Sequence, residues 1–153
     1  MNAIHLYRLG RACHVRRIPV IPSLIRALIF VLYNSSIPPS ADIGKGTVFA
    51  YGAIGVVIHG SAVIGENCLI GQGVTIGAAE AYASSEKTRC PRVGDAVYIA
   101  AGARLLGDIT IGSRCIIGAS AVVLKDVADG TIVAGVPARV VGQTLTAYQA
   151  LRP

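Results

Sequence analysis

A triangular solenoid of short parallel β-strands, preceded by a short helical segment, is the fold class that this 153-residue sequence predicts, and three observations predict it. An aliphatic residue returns every sixth position at Ile58, Ile64, Ile70 and Ile76, with Gly65, Gly71 and Gly77 following it. That period matches neither a helix face nor simple strand alternation, so it marks a repeat architecture. Hydrophobic residues make up 53% of the chain but aromatic ones only 5%, with 18 glycines and no Trp, which suits a narrow aliphatic interior built of short strands and turns. The length supports one domain of ordinary size.

Residues 1–36 read as two helices. The loosely helical pattern of Ile4, Leu6, Leu9, Cys13 and Val15 ends near Arg17; Pro19 and Pro22 break the chain, and a more apolar helix runs from Ser23 to Asn34, closed by Pro38-Pro39. This segment holds Arg8, Arg11, Arg16, Arg17 and Arg26 and no acid, so it carries most of the net charge of +6. Such a segment could touch an anionic membrane surface, although packing helices with solvated arginines explain it as well. Its apolar run, Ile18 to Tyr33, is interrupted by Pro19, Pro22 and Arg26, which argues against a spanning helix or a signal peptide. No recognition motif for nucleic acid accompanies the charge.

From Ile37 the repeat passes through Ile43 and Phe49, then jumps nine residues to Ile58, so the insert around Tyr51, Gly52 and Gly55 is an irregular turn. Residues 78–92 abandon the period and read as an extruded loop. The period resumes at Val93, Ile99, Leu105, Ile111, Ile117 and Val123 and closes over 129–142, which leaves 37–142 as the repeat domain and 143–153 as a tail. Three six-residue sides per coil give roughly five coils. The helices would cover one exposed end of the solenoid and the tail the other. The four cysteines, Cys13, Cys68, Cys90 and Cys115, have no zinc or disulfide spacing and fit reduced thiols in the cytoplasm.

The blocks IGVVIHGSAVIGENCLIGQGVTIG, VGDAVYIAAGARLLGDITIG, IIGASAVVLKDV and AGVPARVVG, in this order, resemble the hexapeptide-repeat acyltransferases, in particular their serine acetyltransferase-like branch. The resemblance covers residues 37–142 and implies a mainly β fold, a left-handed parallel β-helix with a short N-terminal helical segment. It further implies acetyl-CoA as acyl donor, no metal, and a homotrimer with sites between neighbouring subunits. Within that branch the segment Phe49 to Gly55 carries an Asp-His pair, where this chain has Tyr51 and Gly52, and the Arg-His-Pro of the loop exit is here Arg89-Cys90-Pro91. On these departures the chain looks closer to the short O-acetyltransferases of polysaccharide gene clusters, so the sequence points to a sugar or polysaccharide precursor as acceptor, with serine as the alternative. A non-catalytic β-helix scaffold is the alternative of another class.

His59 is the only histidine of the repeat domain, and an imidazole titrating near neutrality can take the proton of an acceptor hydroxyl, so His59 is the expected base. A single histidine there also excludes a zinc enzyme of the β-helical type. Tyr51 and Arg89 are the expected acceptor contacts. The small turn residues Ala101, Gly102, Ala119 and Ser120 leave room for a pantetheine arm. By the same resemblance Lys125 and Arg139 face the phosphates of the coenzyme.

Overall fold

The computed structural model describes residues 2–78 and 89–144. Two helices, α1 (Ala3–Val15) and α2 (Ile21–Tyr33), precede four complete coils of three strands each. The coils are β1 (Asp42–Ile43), β2 (Val48–Phe49) and β3 (Val57–Ile58); β4 (Val63–Ile64), β5 (Leu69–Ile70) and β6 (Thr75–Gly77); β7 (Arg92–Val93), β8 (Tyr98–Ile99) and β9 (Arg104–Leu106); β10 (Thr110–Ile111), β11 (Ile116–Ile117) and β12 (Val122–Val123). A partial fifth coil holds β13 (Thr131–Ala134) and β14 (Arg139–Gln143).

Strands that share a side stack into parallel sheets. The first sheet runs β1-β4-β7-β10, the second β2-β5-β8-β11-β13-β14, and the third β3-β6-β9-β12. Each inward aliphatic sits on the one below: Ile43 on Ile64, Ile70 on Ile99, Ile76 on Leu105. Ile70, Ile76, Ile99, Leu105, Ile111 and Ile117 are completely buried, each stabilising the fold by about 1.5–3 kcal/mol relative to exposure. A second inward row, two residues earlier, carries smaller side chains at Ala41, Thr47, Ala62, Cys68, Val74, Val97, Ala103, Cys115 and Ala121. Cys68 and Cys115 are therefore packing residues, and burial pushes both thiols up.

The corners between sheets decide where chemistry can sit. At the corner leaving the first sheet, the residue after the inward aliphatic is Gly44, Gly65, Gly94 or Gly112. A Cβ on Gly65 would lie 2.5 Å from the Gly94 carbonyl oxygen, and one on Gly112 2.5 Å from the Asp129 nitrogen. At the corner leaving the second sheet the equivalents are Ala50, Gly71, Ala100 and Gly118. At the third corner they are His59, Gly77, Leu106 and Leu124, and a Cβ on Gly77 would meet nothing within 4 Å. Only this corner has room for large side chains throughout.

The helices close the N-terminal end of the solenoid, as the sequence suggests. The buried face of α1 comprises Ala3, Ile4, Tyr7, Gly10 and Cys13. Tyr7 Oη donates to the Ala41 carbonyl at 2.7 Å, Asn2 Nδ2 to that of Phe49 at 2.8 Å, and the Arg8 guanidinium to those of Ile43 and Gly44. The edge carbonyls of the first coil are thereby satisfied. Arg11 pairs with Asp42 at 3.2 Å. So two of this segment's five arginines, Arg8 and Arg11, join the α1 face in packing on the solenoid. Helix α2 buries only Ile25 and Ile29, and leaves Leu24, Leu28, Phe30, Val31 and Leu32 exposed. Among the described residues no helix is long and apolar enough to cross a membrane.

At the other end β14 folds back antiparallel on β13 through Gly135, whose φ is +97°. The irregular turn expected between Phe49 and Ile58 is a short 3-10 segment, Ala50–Ala53, in which Tyr51 and Gly52 are left-handed, with φ of 50° and 77°. Most of the expected extruded loop, residues 79–88, and most of the tail, 145–153, fall outside the described residues; Arg92 belongs to β7 and Gln143 to β14.

Candidate active site

The third corner of the first coil presents His59, the residue after inward Ile58 on β3. Its backbone is held on both sides: His59 N–H donates to the Ile76 carbonyl at 2.8 Å, and its own carbonyl accepts from Ala62 N–H at 3.0 Å. The side chain is exposed, so the imidazole projects from a rigid corner into solvent. Its Nδ1 accepts from the Ser61 amide at 3.2 Å and lies 3.1 Å from Cys90 Sγ. Cys90 is buried, and burial pushes its thiol up. Arg89, beside it, pairs with Asp108 at 3.2 Å, both side chains being largely exposed. Asp108 belongs to the turn between β9 and β10, so this corner gathers His59, Ser61, Arg89, Cys90 and Asp108 from successive coils.

Lys125 and Arg139 share one cleft of about 460 Å³, lined also by Leu124, Asp126, Pro137 and Val140. The cleft lies three strands along the third sheet from His59, a separation of about 14 Å at roughly 4.8 Å per strand. Lys125 and Arg139 line it together with one carboxylate, that of Asp126, which accepts from the Thr110 amide at 2.7 Å, so the cleft keeps a net positive charge. This concentrates positive charge suited to phosphate.

Ala101, Gly102, Ala119 and Ser120 sit at the second corner, on the far edge of the third sheet from His59. They stack on one another: Ser120 N–H donates to the Ala101 carbonyl at 2.8 Å, and both Gly102 and Ser120 take positive φ. Tyr51 occupies the same corner of the first coil, where it is exposed. Within one chain, then, the structure joins His59 with Arg89 and Lys125 with Arg139, and separates both groups from Tyr51 and the small-residue corner. Ser61 and Cys90 are the partners of the imidazole that sequence reasoning missed. An amide that addresses a ring two residues earlier has no sequence signal, and Cys90 reaches His59 only through the coil geometry. Among the described residues no cluster of His, Cys, Asp or Glu could hold a metal ion.

Comparison with known proteins agrees with the fold and revises the acceptor. Residues 90–125 match the family model "Bacterial transferase hexapeptide (six repeats)". A serine acetyltransferase of Synechococcus elongatus is 39% identical over 140 residues, 92% of this chain and 56% of that protein. A serine acetyltransferase of Helicobacter pylori is 36% identical over 92% of this chain and 80% of its own length. The crystal structure of a serine acetyltransferase in complex with coenzyme A from Brucella abortus superposes with a TM-score of 0.85 at 34% identity, covering 93% of this chain and 55% of that one. The chain thus spans little more than half the length of several relatives it matches. The expected closeness to polysaccharide O-acetyltransferases, and with it the sugar acceptor, is overturned by these relatives, which are serine acetyltransferases along nearly the whole of this chain. With 80% of the Helicobacter pylori protein matched at 36% identity, the chain belongs to the serine acetyltransferase family of hexapeptide-repeat transferases.

Proposed function

We propose that this chain is an acetyl-CoA-dependent O-acetyltransferase that acetylates the hydroxyl of L-serine. The observation that carries the proposal is the continuous likeness to serine acetyltransferases across both the His59 corner and the Lys125–Arg139 cleft. Acetyl transfer from a thioester to a hydroxyl needs a base, and His59 supplies it from an exposed, rigidly held corner. The acceptor's carboxylate is met by the Arg89 guanidinium and its ammonium by the Asp108 carboxylate, the two ends of an ion pair already at this corner. Lys125 and Arg139 hold the phosphates of the coenzyme.

The small-residue corner contributes from a second copy. Ala101, Gly102, Ala119 and Ser120 stand across the third sheet from His59, so a pantetheine arm that touches both sets bridges two chains. A homotrimer is part of this proposal, and the outward ladder of the second sheet, Val48, Leu69, Tyr98 and Ile116, favours association because it is apolar throughout. Four free cysteines fit a reducing, cytoplasmic setting.

The test follows thiol release from acetyl-CoA with L-serine or with candidate sugars as acceptor. Serine-dependent release is expected, falling about 10²- to 10⁴-fold in His59→Ala while coenzyme binding by calorimetry is retained. Release driven by sugars and not by serine would reject the acceptor, and unchanged turnover in His59→Ala would reject the base.

A further inference from the structure

Helix α2 is held chiefly by α1, and only Ile25 and Ile29 of it are buried. Gly10 of α1 makes the close approach possible, since a Cβ there would come within 3.1 Å of Ile25 Cγ2. The rest of α2 turns outward and is apolar. Ile21, Leu24, Leu28 and Val31, spaced three, four and three residues apart, form one stripe along it, flanked by Leu32 on one side and by Ala27 and Phe30 on the other. Ile21, Leu24, Leu28, Phe30, Val31 and Leu32 are between 43% and 77% exposed. A contiguous apolar surface of this kind marks an interaction site, and the charges around it select the partner.

Those charges are all positive. Arg8 and Arg11 are engaged on the first coil, but Arg16, Arg17 and Arg26 are exposed and pair with no carboxylate among the described residues. Residues 1–36 contain no Asp or Glu to offset them. Arg16 and Arg17 stand in the connection that leads into the stripe. Arg26 marks the far rim of the exposed arc, where with Phe30 it walls a groove of about 440 Å³ between α2 and Ser35–Ser36. Long cationic side chains at the rim of an apolar helix face can reach headgroup phosphates while that face enters the acyl boundary. The 13 residues of α2 rise about 20 Å, short of the roughly 30 Å of a hydrocarbon core, so the helix can lie in the surface and cannot cross it. A second copy fits this face less well, because pairing two such segments brings arginines together with no carboxylate between them.

We propose that α2 docks the protein on an anionic lipid surface, with its apolar stripe in the acyl boundary and Arg16, Arg17 and Arg26 on the phosphates. Flotation of the full chain with vesicles tests this. Binding to vesicles of equal parts phosphatidylcholine and phosphatidylglycerol is expected to exceed binding to phosphatidylcholine alone at least about tenfold, and to weaken as salt is added. The triple variant Arg16→Gln, Arg17→Gln, Arg26→Gln is expected to lose the anionic preference, about fivefold for each arginine. The triple variant Leu24→Gln, Leu28→Gln, Val31→Gln is expected to bind both compositions at least about tenfold more weakly. All six positions are exposed, so both variants are expected to keep the parent's circular dichroism and its serine-dependent thiol release. Absence of binding to the anionic vesicles, equal binding to the two compositions, or undiminished binding by the leucine variant would overturn the proposal. Self-association in sedimentation velocity that the leucine variant abolishes, without vesicle binding, would overturn it too and assign the stripe to a second copy. Each of these results leaves serine acetylation standing.

Discussion

A pair of glycine substitutions tests whether corner crowding confines the site to one edge of the solenoid. Gly65 and Gly77 both follow an inward isoleucine in the second coil, and neither needs a positive φ. A Cβ on Gly65 would lie 2.4 Å from Asp95 Oδ1 and 2.5 Å from the Gly94 carbonyl oxygen, and the latter is backbone locked in the coil below. Gly65→Ala must therefore push two coils apart or break the Glu66 amide's 2.8 Å bond to Asp95, an overpacking cost of about 1–3 kcal/mol. The same methyl on Gly77 meets nothing within 4 Å, so Gly77→Ala is expected to stay within about 0.5 kcal/mol of the parent. Urea unfolding followed by circular dichroism reads the two midpoints. In a thermal scan the first variant is expected about 2–12 °C lower, the second unshifted. Equal effects of the two changes, in either direction, would refute the argument that the third corner alone is open to side chains.

Other perturbations follow from the cleft and the end cap. Arg139→Ala and Lys125→Ala are each expected to raise the Kd for coenzyme A about tenfold, near 1.4 kcal/mol, without changing kcat at saturation; loss of kcat with unchanged Kd would remove both from the coenzyme site. Tyr7→Phe leaves the Ala41 carbonyl without its 2.7 Å donor under α1 and is expected to cost about 1–3 kcal/mol in urea unfolding. Burial, opposed chiefly by the charge of Arg11, holds the Tyr7 phenol above its ordinary value of 10.0. The folded chain thus binds that proton more tightly than the unfolded one; the stabilisation is complete below about pH 10 and disappears as pH rises through the folded value. Stability against pH should fall more steeply above pH 10 in the parent than in Tyr7→Phe, and identical profiles would contradict it.

The fold was legible because one row of residues repeats strictly: an inward aliphatic every six positions leaves few architectures that bury them all. The second inward row was not, since Ala, Thr, Cys and Val share no pattern beyond moderate size, and Cys68 and Cys115 looked scattered until stacked. His59 was legible as the only imidazole in the repeat, and its place at an open corner is visible afterwards in the run His59, Gly77, Leu106, Leu124, where the other corners read Gly or Ala. Contacts between coils were beyond reach. Cys90 is 31 residues from His59 along the chain, and no local rule links them. The helix ends differ from expectation by about two residues: Arg17 takes φ of 56° and Val20 of 68°, so α1 ends earlier and α2 begins earlier than the prolines alone suggest.

The acceptor is where reading the sequence erred, and the geometry supplies a reason. The change from histidine to Cys90 at the loop exit looks in sequence like a changed acceptor pocket. In the structure that position faces His59: Cys90 Sγ lies against His59 Nδ1, and it is the neighbouring Arg89, kept from the serine acetyltransferase pattern, that stands exposed with Asp108. A substitution at 90 therefore alters what His59 Nδ1 meets while leaving the Arg89–Asp108 pair in place. Tyr51 and Gly52 are likewise on the second corner, apart from His59 within the chain. The departure at Tyr51 and Gly52 thus leaves the His59 corner unchanged within the chain, and the one at 90 exchanges the group beside His59 Nδ1 while Arg89 and Asp108 stay in place. The prediction that checks the paired charges is direct: Arg89→Ala should raise the KM for serine about tenfold while the Kd for coenzyme A stays unchanged. A fall in kcat with unchanged KM in Arg89→Ala would mean that position 89 serves the chemistry and not acceptor recognition.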